Sequence, residues 1–305
     1  MLELLAWVAR HGRYALVGGL LAGFLLPQTA QALRPYLPEM ILSLLFLNAF
    51  RIGPKEALAG LRHSFSALKI TLVLQLVLPM VALCIFSVFG IADTVFGLAI
   101  LLMLAAPSVT ATPNITLLLG HNPEPAFRLL IIGTGILPLT IIPLFWLTPG
   151  LGYLADALSA AFTLLGAIWS MVLLAFALRW FVITDLGKRR LDALDGFTSL
   201  GLAIIVIGLM SAVGPALERD PFWVFQWIVI AMIANLGSQC VVFFYFKKWG
   251  CSAEAVPFSV VAGNRNFALF LIALPATITD PLLIFLGCYQ VPMYLTAIVM
   301  RRFYG

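Results

Sequence analysis

Charge is what this chain has least of. Asp, Glu, Lys and Arg together make up 10% of its 305 residues, against about 25% in a soluble globular domain. A water-soluble fold of this size could not cover its surface with so few charges. The same scarcity excludes a disordered chain, a secreted disulfide scaffold and a nucleic-acid binder. Cysteine and histidine are also sparse, with four and three. Cys84, Cys240, Cys251 and Cys288 are scattered without the CxxC spacing of metal or redox sites, and they read as small apolar residues. His63 and His121 fall in polar loops and read as solvated.

What fills the chain is apolar side chain, 62% of it. A membrane-spanning helix needs about 20 mainly apolar residues. Ten stretches qualify: Tyr14–Leu33, Leu37–Phe50, Ala67–Phe89, Thr94–Leu119, Phe127–Leu147, Ala157–Trp180, Gly196–Val213, Phe222–Phe246, Ala255–Thr277 and Leu282–Met300. Runs this long exclude a membrane barrel, whose strands are about 10 residues of alternating polarity. The expected class is an all-α polytopic membrane protein.

Short cytoplasmic loops collect Lys and Arg, and the basic residues divide accordingly. With the N-terminus inside, the inner segments hold 15 of the 18: Arg10, Arg13, Arg51, Lys55, Arg62, Lys69, Arg128, Arg179, Lys188, Arg189, Arg190, Lys247, Lys248, Arg301 and Arg302. The outer segments hold Arg34 and Arg219. The expectation is a plasma (bacterial-type inner) membrane protein with both termini cytoplasmic, whose net charge of +5 reflects orientation and anionic lipid. Arg10 to Arg13, an apolar run and Ala30-Gln31-Ala32 resemble a signal peptide with its cleavage site. Removal would leave nine spans with an outer start, so an uncleaved first helix is expected.

Two polar interruptions stand inside apolar stretches. One is Pro107-Ser108-Val109-Thr110-Ala111-Thr112-Pro113-Asn114; the other is Gly263-Asn264-Arg265-Asn266. Asn114 and Asn266 lie 152 residues apart, half of the 305. Each interruption is in the fourth span of its five-span half, which predicts two repeats, 1–152 and 153–305. An odd number of spans per repeat makes the second copy inverted. Irregular backbone at membrane depth is tolerated where protein or water satisfies it. Paired broken helices in inverted repeats point to a transport site, although Pro and Gly also kink spans with no solute involved.

The 13 acidic residues all sit in loops or near span ends. Cation exchangers rely on buried carboxylates, so that class is not expected. Arg265 is the opposite case, a permanent charge at a break. Its guanidinium could meet an anionic substrate together with nearby helix N-termini, or it could hold the carbonyl ends of half-helices and touch no solute. Asn114, Asn264 and Asn266 supply donors and acceptors at the same depth. Thr110 and Thr112 complete the first break, and Thr116 follows. Asn235 and Gln239 share a face at i, i+4 and could line a cavity. Gln290 completes the expected substrate-binding set. Asn48, Gln75, Asn235, Gln239 and Gln290 all read first as interhelical hydrogen bonds.

At these breaks the sequence resembles the bile acid:sodium symporter family, over nearly the whole chain. The family's fourth helix carries Gly-Gly-Thr-Ala-Ser-Asn, here Val109-Thr110-Ala111-Thr112-Pro113-Asn114; its ninth carries Glu-x-Gly-x-Gln-Asn, here Val261-Ala262-Gly263-Asn264-Arg265-Asn266. The resemblance implies ten helices in two inverted repeats, with the fourth and ninth unwound where they cross. It implies a core of spans three to five and eight to ten moving against a panel of spans one, two, six and seven. A cavity opening to the cytoplasm is expected between them. The family's sodium-binding Glu, Gln and Ser are replaced by Val261, Arg265 and Pro113, and its fifth-helix hydroxyls align with Phe127 and Ile131. Sodium coupling is therefore expected to be lost, with Arg265 standing in for the ion.

The expected function is a secondary or facilitative carrier of a small organic anion, bile-acid-like or another carboxylate, with no metal or cofactor. The expected partners are that anion and the lipid bilayer. Alternatives are a non-transporting receptor of the same fold and an oxyanion exporter, though the exporters use a fourth-helix cysteine that this break lacks. An enzyme is not expected, because no His, Cys or carboxylate cluster is placed at mid-membrane.

Overall fold

The computed structural model describes residues 2–60, 65–151, 153–183, 186–249 and 252–304. Arg62, His63, Asp185 and Cys251 lie outside these residues, as does the side chain of Arg13. The described chain is helical. Its helices are α1 (Leu2–Arg10), α2 (Gly12–Leu25), α3 (Pro27–Gly60), α4 (Phe65–Val88), α5 (Val95–Ala105) and α6 (Thr112–Leu118). There follow α7 (Glu124–Leu147), α8 (Leu154–Phe181), α9 (Lys188–Arg219), α10 (Pro221–Trp249) and α11 (Ala255–Gly263). A 3₁₀ segment (Phe267–Ile272), α12 (Ala276–Val299) and α13 (Arg301–Tyr304) complete it. Seven of these, α3, α4, α7, α8, α9, α10 and α12, are long and apolar enough to cross a membrane. With that composition, the chain is an integral membrane protein with several spans.

Three expected spans take another form. The first apolar stretch gives the short α2, and the fourth and ninth are each split, into α5 and α6 and into α11 and the 3₁₀ segment. The boundary between the first two spans also moves. It was expected near Arg34, but the helix breaks at Leu26 (φ −123°, ψ 64°), ahead of Pro27 in the first turn of α3. A residue before proline is pushed out of the helical region, and proline itself suits a helix start.

The neighbours on α9 trace the reversal. A Cβ on Gly23 would stand 2.6 Å from Met210 Cβ, and one on Gly214 would stand 3.1 Å from Pro27 Cβ. One on Gly208 would stand 2.8 Å from Leu37 Cδ2. Then Arg51 Nη2 donates to Asp195 Oδ2 at 2.9 Å. So α2 runs alongside α9 in the same direction and α3 runs back down it.

The central helices are recognisable from their sequence. α5 (VFGLAILLMLA) is apolar on every face, and Leu101, Leu102, Met103 and Ala105 are fully buried. Thr94 caps its start, accepting from Gly97 N at 3.1 Å. α5 packs into one cluster with Leu137, Ile141 and Phe145 of α7, Phe267 and Phe270 of the 3₁₀ segment, and Leu283–Leu286 of α12. The periphery is the reverse of a soluble surface. Leu21, Phe89, Phe162, Leu173, Phe225 and Ile233 are all exposed, a spread of apolar side chains that calls for lipid rather than water.

Candidate functional site

Proline decides the first break. α5 ends at Ala105, and Ala106, preceding Pro107, is extended (φ −66°, ψ 149°). The chain resumes as α6 with Pro113 in its first turn. The second break begins where α11 ends at Gly263, with Asn264 (φ −105°, ψ 86°) and Asn266 (φ −86°, ψ 64°) non-helical.

The two extended pieces pair with each other. Ser108 and Arg265 form an antiparallel bridge. Val109 N donates to Asn264 O at 3.0 Å, and Asn266 N donates to Pro107 O at 2.7 Å. Main-chain groups that no helix satisfies are thereby satisfied across the break.

Arg265 closes the arrangement from the inside. It is 2% exposed. Its Nε donates to Ala262 O at 2.9 Å, Nη1 to Ala106 O at 3.0 Å and Nη2 to Leu74 O at 3.2 Å. Ala262 and Ala106 sit at the C-terminal ends of α11 and α5, where carbonyls have no helical partner and the helix dipole is negative. Leu74 lies in a π-helical segment, Val73–Val77, within α4; such segments shift the hydrogen-bond ladder and free a carbonyl. Of the two readings of Arg265, the geometry is that of a clamp on helix ends.

The same carbonyls answer the sodium question. A hard cation wants several oxygens around one point. Here three main-chain oxygens converge on the guanidinium, while Val261 and Pro113 offer no side-chain oxygen. The residues present do not fit a sodium ion. Among the described residues, no three His, Cys, Asp or Glu are grouped as metal ligands.

Around the second break lies a buried polar network. Asn235 Nδ2 donates to Gly263 O at 2.5 Å, and Gln239 Nε2 donates to Asn235 Oδ1 at 2.7 Å and to Thr296 Oγ1 at 3.2 Å. Thr296 Oγ1 reaches Asn264 Oδ1 at 3.2 Å, and Tyr304 OH donates to Gln239 Oε1 at 3.0 Å. Burial pushes the Tyr304 phenol up, so it stays a donor. Tyr289 OH donates to Gly263 O. Gly263 is required by contact, since a Cβ there would run into Asn235 O and Gln239 Cγ of α10.

The nine expected site residues therefore divide. Asn235, Gln239, Asn264 and Arg265 meet at the crossing, and Asn266 joins it through its main chain. Thr112 is buried on the first break, where Ser108 Oγ donates to its Oγ1 at 2.6 Å. Asn114 does not take part, being exposed on α6. Thr112 and Thr116 occupy the buried face of that helix, and Asn114, two residues from each, points about 200° away. Thr110 is half-buried and brings no side-chain hydrogen bond to the crossing. Gln290 Nε2 donates to Leu286 O of its own helix at 3.0 Å. Asn48 likewise bonds its own helix, at Leu44 O, rather than a neighbour. Gln75 does reach across, to Gly133 O at 3.0 Å and Thr140 Oγ1 at 3.2 Å.

None of the nine lines the large cavity. A space of about 930 Å³ opens between α3 and α9 on one side and α10, α12 and the 3₁₀ segment on the other. Leu37, Trp223, Leu274 and Leu283 wall it, with Gln31, Arg34, Ser211, Arg219, Asp220, Thr279 and Asp280 as its polar residues. Arg34 and Arg219, which line it, are the two basic residues that the charge count assigns to the outer segments. Phe267, Phe270 and Leu286 line a second, very small space that shares Leu271, Thr279 and Leu283 with the cavity. Sequence reading missed Ser108, Tyr289, Thr296 and Tyr304. The i, i+7 spacing of Tyr289 and Thr296 on one helix face was an available signal.

A scan against protein-family models gives no match, and neither does a search of curated proteins.

Proposed function

We propose that this chain is a secondary carrier of small organic anions, working by alternating access and independent of sodium. It is a divergent relative of the bile acid:sodium symporters. In this reading ten crossings form two inverted repeats, 1–152 and 153–305, with α5–α6 and α11 plus the 3₁₀ segment as the discontinuous fourth and ninth crossings.

The observation that carries the reading is the mutual hydrogen bonding of the two breaks. Non-helical backbone at this depth is the device by which carriers build a site between repeats. Packing adds support, because α2 and α3 lie on α9 and α3 on α8, while α10 packs on α11 and α12 and α4 packs on α7. In this reading the first group is the panel and the second the core, joined where α8 packs on α7, and the cavity lies between α3 and α9 of the one and α10 and α12 of the other. Arg265 supplies permanently, within its carbonyl cage, the positive charge that a bound cation would bring and remove. Transport is then uniport, exchange, or coupled to a proton carried by the substrate. The buried polar groups at the crossing are amides, hydroxyls and a main-chain-bound guanidinium, which supports a carrier rather than an enzyme.

The test is uptake of labelled carboxylates into proteoliposomes, with sodium replaced by potassium. Flux that saturates and ignores the cation supports the reading. Flux that requires sodium overturns the sodium-independent form. Binding without flux overturns the carrier and selects a receptor.

A further inference from the structure

The cavity has its own chemistry, separate from the crossing. Its walls are apolar, and its volume of about 930 Å³ falls in the range of small-molecule sites, roughly 300–1,000 Å³.

Four charges line the cavity. Asp220 Oδ1 accepts from Trp223 N at 3.1 Å, at the start of α10. Arg219 has no ion-pair partner among the described residues. Arg34 and Asp280 form an ion pair whose side chains are 38% and 45% exposed. That pair reaches from Arg34, about two turns into α3 on one wall, to Asp280, near the start of α12 on the other. It joins the two bodies that alternating access must move apart or together.

We propose that the cavity binds an amphipathic carboxylate and that its carboxylate displaces Asp280 from Arg34. This rests on the carrier reading and adds to it a site and a trigger. Arg34 presents a guanidinium fork that a ligand carboxylate fits as well as an aspartate does. The ion pair is half-solvated, so exchanging one carboxylate for another is nearly balanced, and burial of the apolar body against Leu37, Trp223, Leu274 and Leu283 tips it. Arg219 draws the anion to the mouth. Once Asp280 is released, the tie across the cavity is broken. The ligand that fills the site is then also the agent that frees the wall to move, with no ion required.

The exchange has a signature that a purely structural ion pair lacks. Removing Asp280 removes the competitor, so Asp280→Asn should bind carboxylates more tightly. Removing Arg34 removes the receiver, so Arg34→Gln should bind them more weakly. The probe is decanoate, with decanol as the uncharged control, read as ligand-induced thermal stabilisation of the detergent-purified protein.

Asp280→Asn should tighten decanoate about two- to fivefold, the range set by the strength of an exposed ion pair. Arg34→Gln should lose most of the decanoate effect, and the weak decanol effect should change in neither variant. Unchanged or weaker decanoate binding in Asp280→Asn would overturn the exchange. So would decanoate acting no better than decanol on the wild type. If Arg34→Gln fails to fold, Arg34→Lys, which keeps the charge without the fork, must bind more weakly. Failure of the carrier reading is seen separately, as decanoate binding with the predicted variant order but no proteoliposome flux.

Discussion

Replacing Arg265 tests the interior directly. Its three hydrogen bonds run from a charged donor to Ala262 O, Ala106 O and Leu74 O, and such bonds contribute about 1.5–3 kcal/mol each. Together they amount to roughly 5–9 kcal/mol before the guanidinium's own desolvation is subtracted, which costs several kcal/mol. Removing the guanidinium leaves three buried carbonyls short of a donor, at about 1–3 kcal/mol each, less the desolvation recovered, a net of about 3–5 kcal/mol. Arg265→Met should fall there, lowering the melting temperature in detergent by on the order of 10 °C. Arg265→Lys should lose less, since one ammonium can still serve some of the carbonyls. Arg265→Gln carries a second consequence. It leaves three main-chain oxygens and an amide oxygen around one emptied volume, an environment a hard cation accepts. That variant should be stabilised by sodium over potassium, whereas the wild type should not distinguish them. An Arg265→Met protein within about 1 kcal/mol of wild type would refute the clamp. Equal melting of Arg265→Gln in both salts would refute the idea that the guanidinium takes a cation's place.

Other substitutions probe single contacts. Gly263→Ala drives a methyl into Asn235 O and Gln239 Cγ, and overpacking of this kind costs about 1–3 kcal/mol, readable as a lower melting temperature. Gly53 has φ 77° and ψ 163° ahead of Pro54 in α3, a region nearly reserved for glycine, so Gly53→Ala should cost about 1–3 kcal/mol in the same assay. Tyr304→Phe takes the donor from Gln239 Oε1 and should destabilise by about 1–2 kcal/mol. Arg51→Gln, which breaks the exposed pair with Asp195, should change stability by less than about 1 kcal/mol.

Much of the architecture was legible because membrane folding imposes coarse rules. Apolar runs long enough to span, sparse charge and the asymmetric distribution of Lys and Arg mark a polytopic protein without reference to tertiary contacts. The two breaks were legible as well, since Pro107, Pro113 and the Gly263-Asn264-Arg265-Asn266 run are polar or helix-breaking where the flanks are not. The turn between the first two spans was misplaced because Arg34 drew attention to itself by charge. Pro27, through its effect on Leu26, fixes the backbone. Charge marks a place where a chain tolerates water, and proline marks a place where it cannot stay helical.

Composition and local sequence, then, determined that this protein lives in a bilayer, that it is helical, and that two of its apolar stretches are interrupted. These follow from transfer free energy and backbone sterics, which act residue by residue. The tertiary structure decided everything that depends on which groups face one another. It bound the breaks together with Val109 N to Asn264 O and Asn266 N to Pro107 O, and turned Asn114 outward. It committed the charge of Arg265 to three carbonyls on three different elements. It also opened the cavity at the end of Arg34 and Arg219. A hydrogen bond between residues more than 150 positions apart leaves no trace in the local sequence, because its energy depends on the distance and angle that the packed helices create.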